Sequence, residues 1–286
     1  MRTLVHLSDL HFGRVDDRLL APLRAAIEAA GPDLVVVSGD LTQRARRAQF
    51  ARAAAFLDTL PMPQLVVPGN HDVPLYDVVR RFLSPLKRFR RRIEADEFPY
   101  YEDAEIAAIG LNTARSLTFK GGRVNREQVA EVERRFHGLP EPVTRIVVSH
   151  HPFDLPEGSD DDDLVGRADM AMRAFAGCGV DVFLSGHLHT THVGSTARRY
   201  RIEGYAALAV QAGTATSTRK RGEANAFNVL RIGRESLALE TWSWQPEAQR
   251  YQPETPRCFA WRKGQGWGPA EPGPEPATAA AAATAG

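Results

Sequence analysis

The chain has little cysteine, almost no excess charge and no long apolar run. Its 286 residues include only two cysteines, Cys178 and Cys258, which lie far apart and lack the spacing of a thiolate metal site. A formal net charge of +1 predicts no overall attraction to nucleic acid. No apolar run reaches membrane-spanning length, and no signal sequence precedes the first apolar stretch. These absences predict a cytoplasmic protein in a reducing compartment, without a transmembrane anchor.

Large apolar side chains are also missing from the C-terminal end. The sequence from Gly268 is rich first in Pro, Gly and Glu and then in Ala and Thr. Such a segment buries too little apolar surface to offset the entropy lost on ordering. We therefore expect one folded domain over residues 1–267 and a disordered Pro/Ala-rich tail over residues 268–286. The 43% apolar content is sufficient for a sizeable core in the folded part.

Five short apolar stretches each run directly into residues that can bind metals. The stretches cover residues 4–7, 34–37, 65–67, 146–148 and 182–184. Short β-branched runs bounded by Gly and Pro are typical of buried strands, and ligands of open α/β sheets bind beyond the carboxyl ends of such strands. We therefore expect one dinuclear metal centre that collects Asp9, His11, Asp40, Asn70, His150 or His151, His187 and His189.

The predicted ligands offer nitrogen and oxygen donors only. Mixed ligation of this kind suits two divalent ions among Mn, Fe, Zn and Co. Two ions about 3.5–4 Å apart can hold a bridging hydroxide, polarise a phosphoryl oxygen and stabilise the leaving oxygen. The Asp40 carboxylate is able to bridge them. His71, with Asp72 beside it to fix its tautomer, is the predicted acid near the leaving group, so both residues are predicted to be catalytic.

The motifs D-x-H, G-D, G-N-H-D, H-x-P and G-H-x-H occur in this order and resemble those of the calcineurin-like metallophosphoesterases, over about residues 3–232. The resemblance implies an α/β fold with a two-sheet β-sandwich flanked by helices, a four-layer αββα arrangement with the site at the strand ends. One ion would be held by Asp9, His11, Asp40 and His189. The other would be held by Asp40, Asn70, His150 and His187. In H-x-P the first histidine aligns, which selects His150 over His151, and His71 would contact the phosphoryl or leaving oxygen.

One departure separates the chain from the purple acid phosphatases of this superfamily. Those enzymes carry a tyrosine three residues after the bridging aspartate, where this chain has Gln43. A purple Fe(III) site is therefore not expected. The Leu41-Thr42 pair that follows Asp40 instead looks like the bacterial class III cyclic-nucleotide phosphodiesterase branch.

Residues 74–97 interrupt the alternation of strands and helices directly after His71-Asp72, which predicts a helical lid over or beside the site. Seven basic residues and no acidic residue occur from Arg80 to Arg92, interleaved with large apolar residues. Three interpretations stay open. The segment could be a solvated helix pair that packs on the body, a basic lid that receives an anionic substrate, or a surface that contacts anionic lipid through residues 80–92 at the inner membrane face.

Substrate-binding residues are harder to predict from the sequence. Arg115 and Arg123 flank a predicted loop around Asn112-Thr113, where either guanidinium could bind a phosphate through two hydrogen bonds. His151 is a further candidate for this role because it follows the ligand His150.

The sequence predicts a metal-dependent hydrolase of phosphodiesters, including 3′,5′-cyclic nucleotides, or of phosphomonoesters. An alternative is a pyrophosphatase that acts on a nucleotide-linked lipid at the membrane surface. A second alternative, from a different class, is a metal-dependent scaffold without catalysis. A DNA nuclease is disfavoured because that branch adds helical arms or a DNA-capping domain. The natural substrate, the metal pair and the oligomeric state stay open.

Overall fold

The protein is described by a computed structural model over residues 1–118, 120–218 and 222–271. In chain order, the helices of these residues are α1 Leu20–Ala30, α2 Arg47–Leu57, α3 Val78–Leu83, α4 Lys87–Arg92, α5 Arg126–Phe136 and α6 Ala168–Gly177. The strands are β1 Arg2–Leu7, β2 Leu34–Ser38, β3 Gln64–Val67, β4 Tyr100–Glu102, β5 Ile106–Leu111, β6 Thr144–Ser149, β7 Val182–Ser185, β8 His192–Ser195, β9 Leu208–Gln211, β10 Ala226–Ile232, β11 Ser236–Gln245, β12 Arg250–Pro253, β13 Arg257–Arg262 and β14 Gly266–Ala270.

The strands form two sheets. The first has the order β14-β13-β11-β10-β1-β2-β3, with β12 paired to β11, and the second has the order β4-β5-β6-β7-β9-β8. The predicted strand–helix–strand units are confirmed, because β1, β2 and β3 run parallel. The short strand signals between residues 192 and 244 suggest a second sheet packed on the first, but only β8 and β9 of this region belong to it. β10 and β11 join the first sheet because β10 pairs antiparallel with β1, and the second sheet is built from residues 100–211.

Alternation along the buried strands produces the layers. Leu4 and Val36 face the cluster between the two sheets, whereas their neighbours Val5 and Val35 face the cluster under α1 and α2. A third cluster lies under α5 and α6, on the outer face of the second sheet. The predicted fold class, an α/β two-sheet sandwich with helices on both outer sides, is therefore confirmed. Its core consists of three stacked apolar layers.

The helices follow local sequence signals. Asn125 caps α5 by accepting from the backbone N–H of Gln128, whose side chain accepts from the backbone N–H of Asn125 in return. α2 starts only at Arg47, because the chain bends at residues 43–44 before the helix begins. No helix in the described part of the chain is long and apolar enough to cross a membrane.

The C-terminal boundary of the domain lies beyond the predicted one. β14 continues to Ala270, and its residues Gly268 and Ala270 pair with Ala260 and Cys258 of β13. The prediction that the disordered tail begins at Gly268 is therefore wrong by three residues. Backbone pairing orders these residues although they carry no large side chain of their own. Residues 272–286, the rest of the predicted tail, lie outside the described residues.

The segment at residues 74–97 contains two short helices, α3 and α4, which we call the insertion helices. Leu86 and Phe89 are buried in the cluster under α1 and α2. Arg81 is also buried, and its guanidinium donates to the carbonyl oxygens of Pro74 at 2.9 Å and of Ser116 and Thr118 at 2.6 Å. These contacts fix the insertion helices to the body of the domain.

Candidate metal centre

The loops that follow β1, β2, β3, β6 and β7 bring the seven predicted ligands together. Asp9, His11, Asp40 and His150 are almost completely buried, and His189 is nearly so. Their ligand atoms form two overlapping groups of three within 4.8 Å of one another, Asp9-His11-His189 and Asp9-Asp40-His150. Side chains that are far apart in the sequence thus meet at one end of the sandwich.

The first group of ligands surrounds the Asp9 carboxylate. Asp9 Oδ1 lies 3.4 Å from His11 Nε2 and 3.3 Å from His189 Nε2, and these two nitrogens lie 3.2 Å apart. Asp9 Oδ2 is fixed by the Ser8 hydroxyl at 2.7 Å and by the backbone N–H of His187 at 3.0 Å. Within the described residues, Asp9 Oδ1 is buried and has no hydrogen-bond donor. An orphaned carboxylate oxygen that faces two imidazole nitrogens fits a cation.

The second group is built around His150. Its Nδ1 donates to the Ser38 carbonyl at 2.8 Å, which fixes the tautomer and directs Nε2 into the site. His150 Nε2 lies 3.1 Å from Asn70 Oδ1 and 3.5 Å from Asp40 Oδ2. The ring of His187 packs edge-on against that of His150, with centroids 5.2 Å apart. This donor set, one amide oxygen, one carboxylate and two imidazoles, also fits a divalent ion.

Asp40 lies between the two groups. Its Oδ2 is 3.5 Å from His150 Nε2 on one side and 3.8 Å from His11 Nε2 on the other. Its Oδ1 accepts a hydrogen bond from the backbone N–H of His71 at 2.8 Å, which holds the carboxylate in this position. A carboxylate in this position can bridge two ions.

Five of the seven ligand positions have left-handed backbone. The φ angles of Asp9, His11, Asp40, His187 and His189 lie between 49° and 74°. Each such residue costs about 1–2 kcal/mol relative to ordinary backbone, and residues of this kind cluster at functional sites. Neighbouring glycines permit the close approach of the loops, since a Cβ on Gly69 would collide with the Asp40 carboxylate and backbone.

The buried charges favour additional positive charge. Burial by itself would raise the pKa of Asp40, but His150, His71 and His11 hold it well below its usual range. Burial would lower the pKa of His150, but Asp40 and Asp9 outweigh it and raise the pKa to about 9. Burial and the neighbouring His150 lower the pKa of His187 to about 4. The carboxylates thus stay ionised in a buried pocket, where metal ions can supply the compensating charge.

His71 lies beside the bridging carboxylate and is partly exposed. Its Nδ1 donates to the backbone carbonyl of Gln43 at 3.0 Å, which turns Nε2 towards the cluster, 3.9 Å from Asp40 Oδ2. The Arg44 guanidinium donates to the same carbonyl at 2.9 Å and lies 3.2 Å from His71 Nδ1. The backbone of the loop after β2 therefore orients the imidazole, and no sequence pattern indicates the part played by Arg44.

The predicted pairing of Asp72 with the His71 ring is wrong. The buried Asp72 carboxylate accepts from the backbone N–H groups of Leu41, Thr42 and Gly69 and from the Thr42 hydroxyl, at 2.9–3.1 Å. The two side chains point apart in a short 3₁₀ turn over Asn70–Asp72. Burial, and then the nearby Asp40, raise the pKa of Asp72 to about 6 against the effect of these donors. Asp72 joins the loops that carry Asp40 and Asn70 and is a positioning residue.

His151 is buried beside His150 and His187, with ring centroids 5.0 and 4.6 Å away, and both of its ring nitrogens are engaged by other groups. Nδ1 is 2.8 Å from the Thr113 hydroxyl and Nε2 donates to the Lys120 carbonyl at 2.6 Å. These contacts attach the loop after β5, and the role of His151 in substrate binding stays a prediction. The guanidinium groups of Arg115 and Arg123 form no hydrogen bond or ion pair to any described residue, so their role in binding phosphate stays a prediction.

Known phosphoesterases are similar to this chain in sequence. The sequence model of the calcineurin-like phosphoesterase family matches residues 2–191. The chain is 27% identical over 205 residues to the 3′,5′-cyclic adenosine monophosphate phosphodiesterase CpdA of Escherichia coli K12. The aligned region covers 65% of this chain and 69% of CpdA. The chain is also 25% identical over 134 residues to a probable glycerophosphodiester phosphodiesterase GpdQ of Arcobacter nitrofigilis. This alignment covers 43% of this chain and 44% of GpdQ.

A solved structure shows the same fold at low sequence identity. The purple acid phosphatase PPD1 from yellow lupin seeds superposes with a TM-score of 0.64 and 14% identity, over 91% of this chain. This chain spans 53% of the lupin protein's length. The predicted resemblance is confirmed by the match of the family model to most of the chain. The protein therefore belongs to the calcineurin-like phosphoesterases, hydrolases that act on phosphoesters.

Proposed function

We propose that the protein is a dinuclear-metal-dependent phosphodiesterase. The observation that carries the proposal is the position of Asp40 Oδ2 between His11 Nε2 and His150 Nε2, at 3.8 and 3.5 Å. A single ion needs no carboxylate between two separate donor groups, whereas a pair of ions does. Family membership and the orphaned Asp9 oxygen support the same conclusion.

The residues that would hold each ion follow from the two donor groups. Asp9, His11, Asp40 and His189 would hold one, and Asp40, Asn70, His150 and His187 would hold the other. Their nitrogen and oxygen donors suit Mn, Fe, Zn or Co. When bound, two such ions supply an activated water for attack on phosphorus and neutralise charge on the phosphoryl and leaving oxygens.

His71 has the geometry of a group that serves the leaving oxygen. The Gln43 carbonyl accepts the hydrogen of Nδ1 and thereby orients Nε2 towards the ligand cluster. In its protonated form the ring donates a hydrogen bond from Nε2 to an oxygen of the substrate and transfers this proton to the alkoxide that leaves. Asp72 acts through the loops, because its carboxylate holds the backbone on both sides of the metal cluster.

We propose small phosphodiesters, with 3′,5′-cyclic nucleotides among them, as the substrate class. The relative CpdA is named as a cyclic adenosine monophosphate phosphodiesterase, and a second relative is named for glycerophosphodiesters. The Leu41-Thr42 pair after Asp40 supports the first of these. A panel of cyclic nucleotides, glycerophosphodiesters and phosphomonoesters, assayed with defined metals, tests the assignment. Faster turnover of every monoester than of any diester would contradict it.

A chelator-reversible assay with bis-p-nitrophenyl phosphate and added Mn(II) tests the activity itself. We expect turnover that EDTA abolishes and that excess Mn(II) restores. Protein that binds two metal ions and turns over no substrate of the panel would instead support the alternative of a metal-dependent scaffold. The His137→Asn variant is the matched control, since this exposed histidine lies at the end of α5 and should leave activity unchanged.

A specific observation favours a second candidate substrate. Apolar side chains stand exposed at Tyr76 and along α3, beside the basic residues of the insertion helices. A pyrophosphatase that acts on a nucleotide-linked lipid would use such a surface for the acyl chains. A lipid-linked pyrophosphate therefore belongs in the panel, and a strong preference for it over soluble diesters would replace the first assignment. The cytoplasmic location stays a prediction.

A further inference from the structure

The insertion helices present an exposed apolar surface. Five large side chains between residues 76 and 83 are more than half exposed, and Val79 and Leu83 reach 71% and 81%. Leu117, 77% exposed, belongs to the same surface, because Arg81 of α3 bonds to the carbonyls of Ser116 and Thr118 on either side of it. A contiguous apolar surface of this kind on a folded domain is typical of a contact site.

A cationic cavity of about 420 Å³ lies next to this surface. It is formed where the insertion helices meet the start of α2. Ser84 and Phe50 line it together with six basic residues, Arg47, Arg80, Lys87, Arg88, Arg91 and Arg92. Among the described residues no acidic side chain lines it, so the cavity concentrates positive charge.

Little of this charge is neutralised by the protein itself. Arg80 forms an ion pair with Asp77 at 3.1 Å, and Arg88 donates to the Ala45 carbonyl at 2.6 Å. Among the described residues, no carboxylate pairs with Arg47, Lys87, Arg91 or Arg92. Uncompensated cations that share a cavity favour a ligand that carries several negative charges, such as a phosphate group.

The cationic cavity and the apolar surface share one helix. Arg80 and Ser84 line the cavity, while their neighbours Val79 and Leu83 are exposed beside it. A soluble anion would use only the cavity and would leave the apolar side chains in water. A phosphate borne on an amphiphile would use both, because its headgroup enters the cavity while α3 contacts the acyl layer.

We infer that the insertion helices form a membrane-docking surface, in which the cationic cavity holds the phosphate of an anionic phospholipid and the exposed apolar residues of α3 enter the interface. This site is separate from the metal cluster. Its use does not depend on the proposed phosphodiesterase activity. The predicted lipid contact of residues 80–92 is thereby assigned to the cationic cavity and to the exposed face of α3.

Vesicle flotation without substrate tests the inference, so the result is independent of catalysis. Wild-type protein should float with vesicles of phosphatidylcholine and phosphatidylglycerol and not with pure phosphatidylcholine. The Lys87→Glu/Arg91→Glu variant should lower binding by at least about tenfold, since each basic residue near an anionic surface contributes on the order of a fivefold gain. Neither residue forms an ion pair in the described protein, unlike Arg90, which pairs with Glu97 at 3.1 Å.

Two further variants sharpen the test. Arg201→Glu/Lys263→Glu makes the same change in net charge at exposed positions outside the cavity and should float as the wild type does. Val79→Ser/Leu83→Ser removes exposed apolar groups only and should also weaken flotation, by roughly tenfold.

Three outcomes would overturn the inference. The first is absence of flotation by the wild type, and the second is equal loss of flotation in the cavity variant and in the Arg201/Lys263 control. The third is calorimetric binding of inorganic pyrophosphate that the cavity variant loses, without any vesicle binding. That last result would assign the cavity to a soluble anion.

Discussion

The strand-end loops and the insertion helices both concentrate charged groups, but they differ in how far these groups are buried and paired. In the loops, the acidic and imidazole groups are buried, held by backbone donors and directed at one another. In the insertion helices, Arg90, Arg91 and Arg92 are exposed, and the last two pair with no described carboxylate. Buried charge requires defined partners, whereas exposed charge does not. The first region is therefore built for one geometry, and the second for a surface with many equivalent ligands.

Replacement of Asp40 in the strand-end loops should have the largest effect on metal content and turnover. Asp40→Ala removes the carboxylate that both donor groups share, so we expect loss of both metal ions and of turnover to the detection limit. Elemental analysis and the bis-p-nitrophenyl phosphate assay measure these effects. Asp58→Ala, at an exposed position after α2, is the matched control and should keep metal and activity. Two bound ions in the Asp40 variant would show that Asp40 does not bridge.

His71 separates the binding of metal from the chemistry. His71→Asn should retain the metal content, because this ring belongs to neither set of proposed ligands, and should lower turnover by about 10²–10⁴-fold. The His137→Asn variant again serves as the control. Unchanged turnover of the His71 variant would reject its role at the leaving oxygen.

Asp72 tests positioning against acid–base chemistry. Asp72→Asn replaces two acceptor oxygens by one oxygen and one NH₂ among four donors, so we expect the free energy of unfolding to fall by about 2 kcal/mol. His71→Asn should change this free energy by less than about 0.5 kcal/mol, since the ring is partly exposed. Urea denaturation of the two metal-free variants measures both. A stable Asp72 variant with strongly reduced turnover would restore Asp72 to the catalytic group.

Arg81 is the exception within the insertion helices, because it alone among their basic residues is buried. Arg81→Lys loses the planar group that donates to four carbonyls, and we expect about 1–3 kcal/mol less stability and faster proteolysis between residues 75 and 95. Arg80→Lys, at a half-buried position of the same helix where a lysine keeps the positive charge beside Asp77, should change stability by less than about 0.5 kcal/mol. Equal proteolysis of the two variants would contradict an anchoring role for Arg81.

The ligand residues could be predicted from the sequence because each follows a short apolar strand, and such strands deliver side chains to one edge. The roles of neighbouring residues could not be predicted in this way. Asp72 and His151 adjoin His71 and His150, yet their side chains form hydrogen bonds to the backbone and hydroxyl groups of other loops.

Long-range pairing was also beyond the sequence pattern. The strand signals at residues 226–244 are clear, but nothing local shows that β10 pairs with β1 across more than 200 residues. The tail boundary was missed for the same reason, because the order of Gly268 and Ala270 comes from their partners in β13. The left-handed backbone of five ligands depends on the contacts of the folded loops, and side-chain types alone do not indicate it.

The number of metal ions bound per chain tests the central claim most directly. Protein stripped with a chelator, reconstituted with Mn(II) and freed of excess ion should contain two ions per chain by elemental analysis. The two should be lost together in the Asp40→Ala variant. Reconstituted wild-type protein with one ion per chain, or with none, would contradict a dinuclear centre built on Asp40.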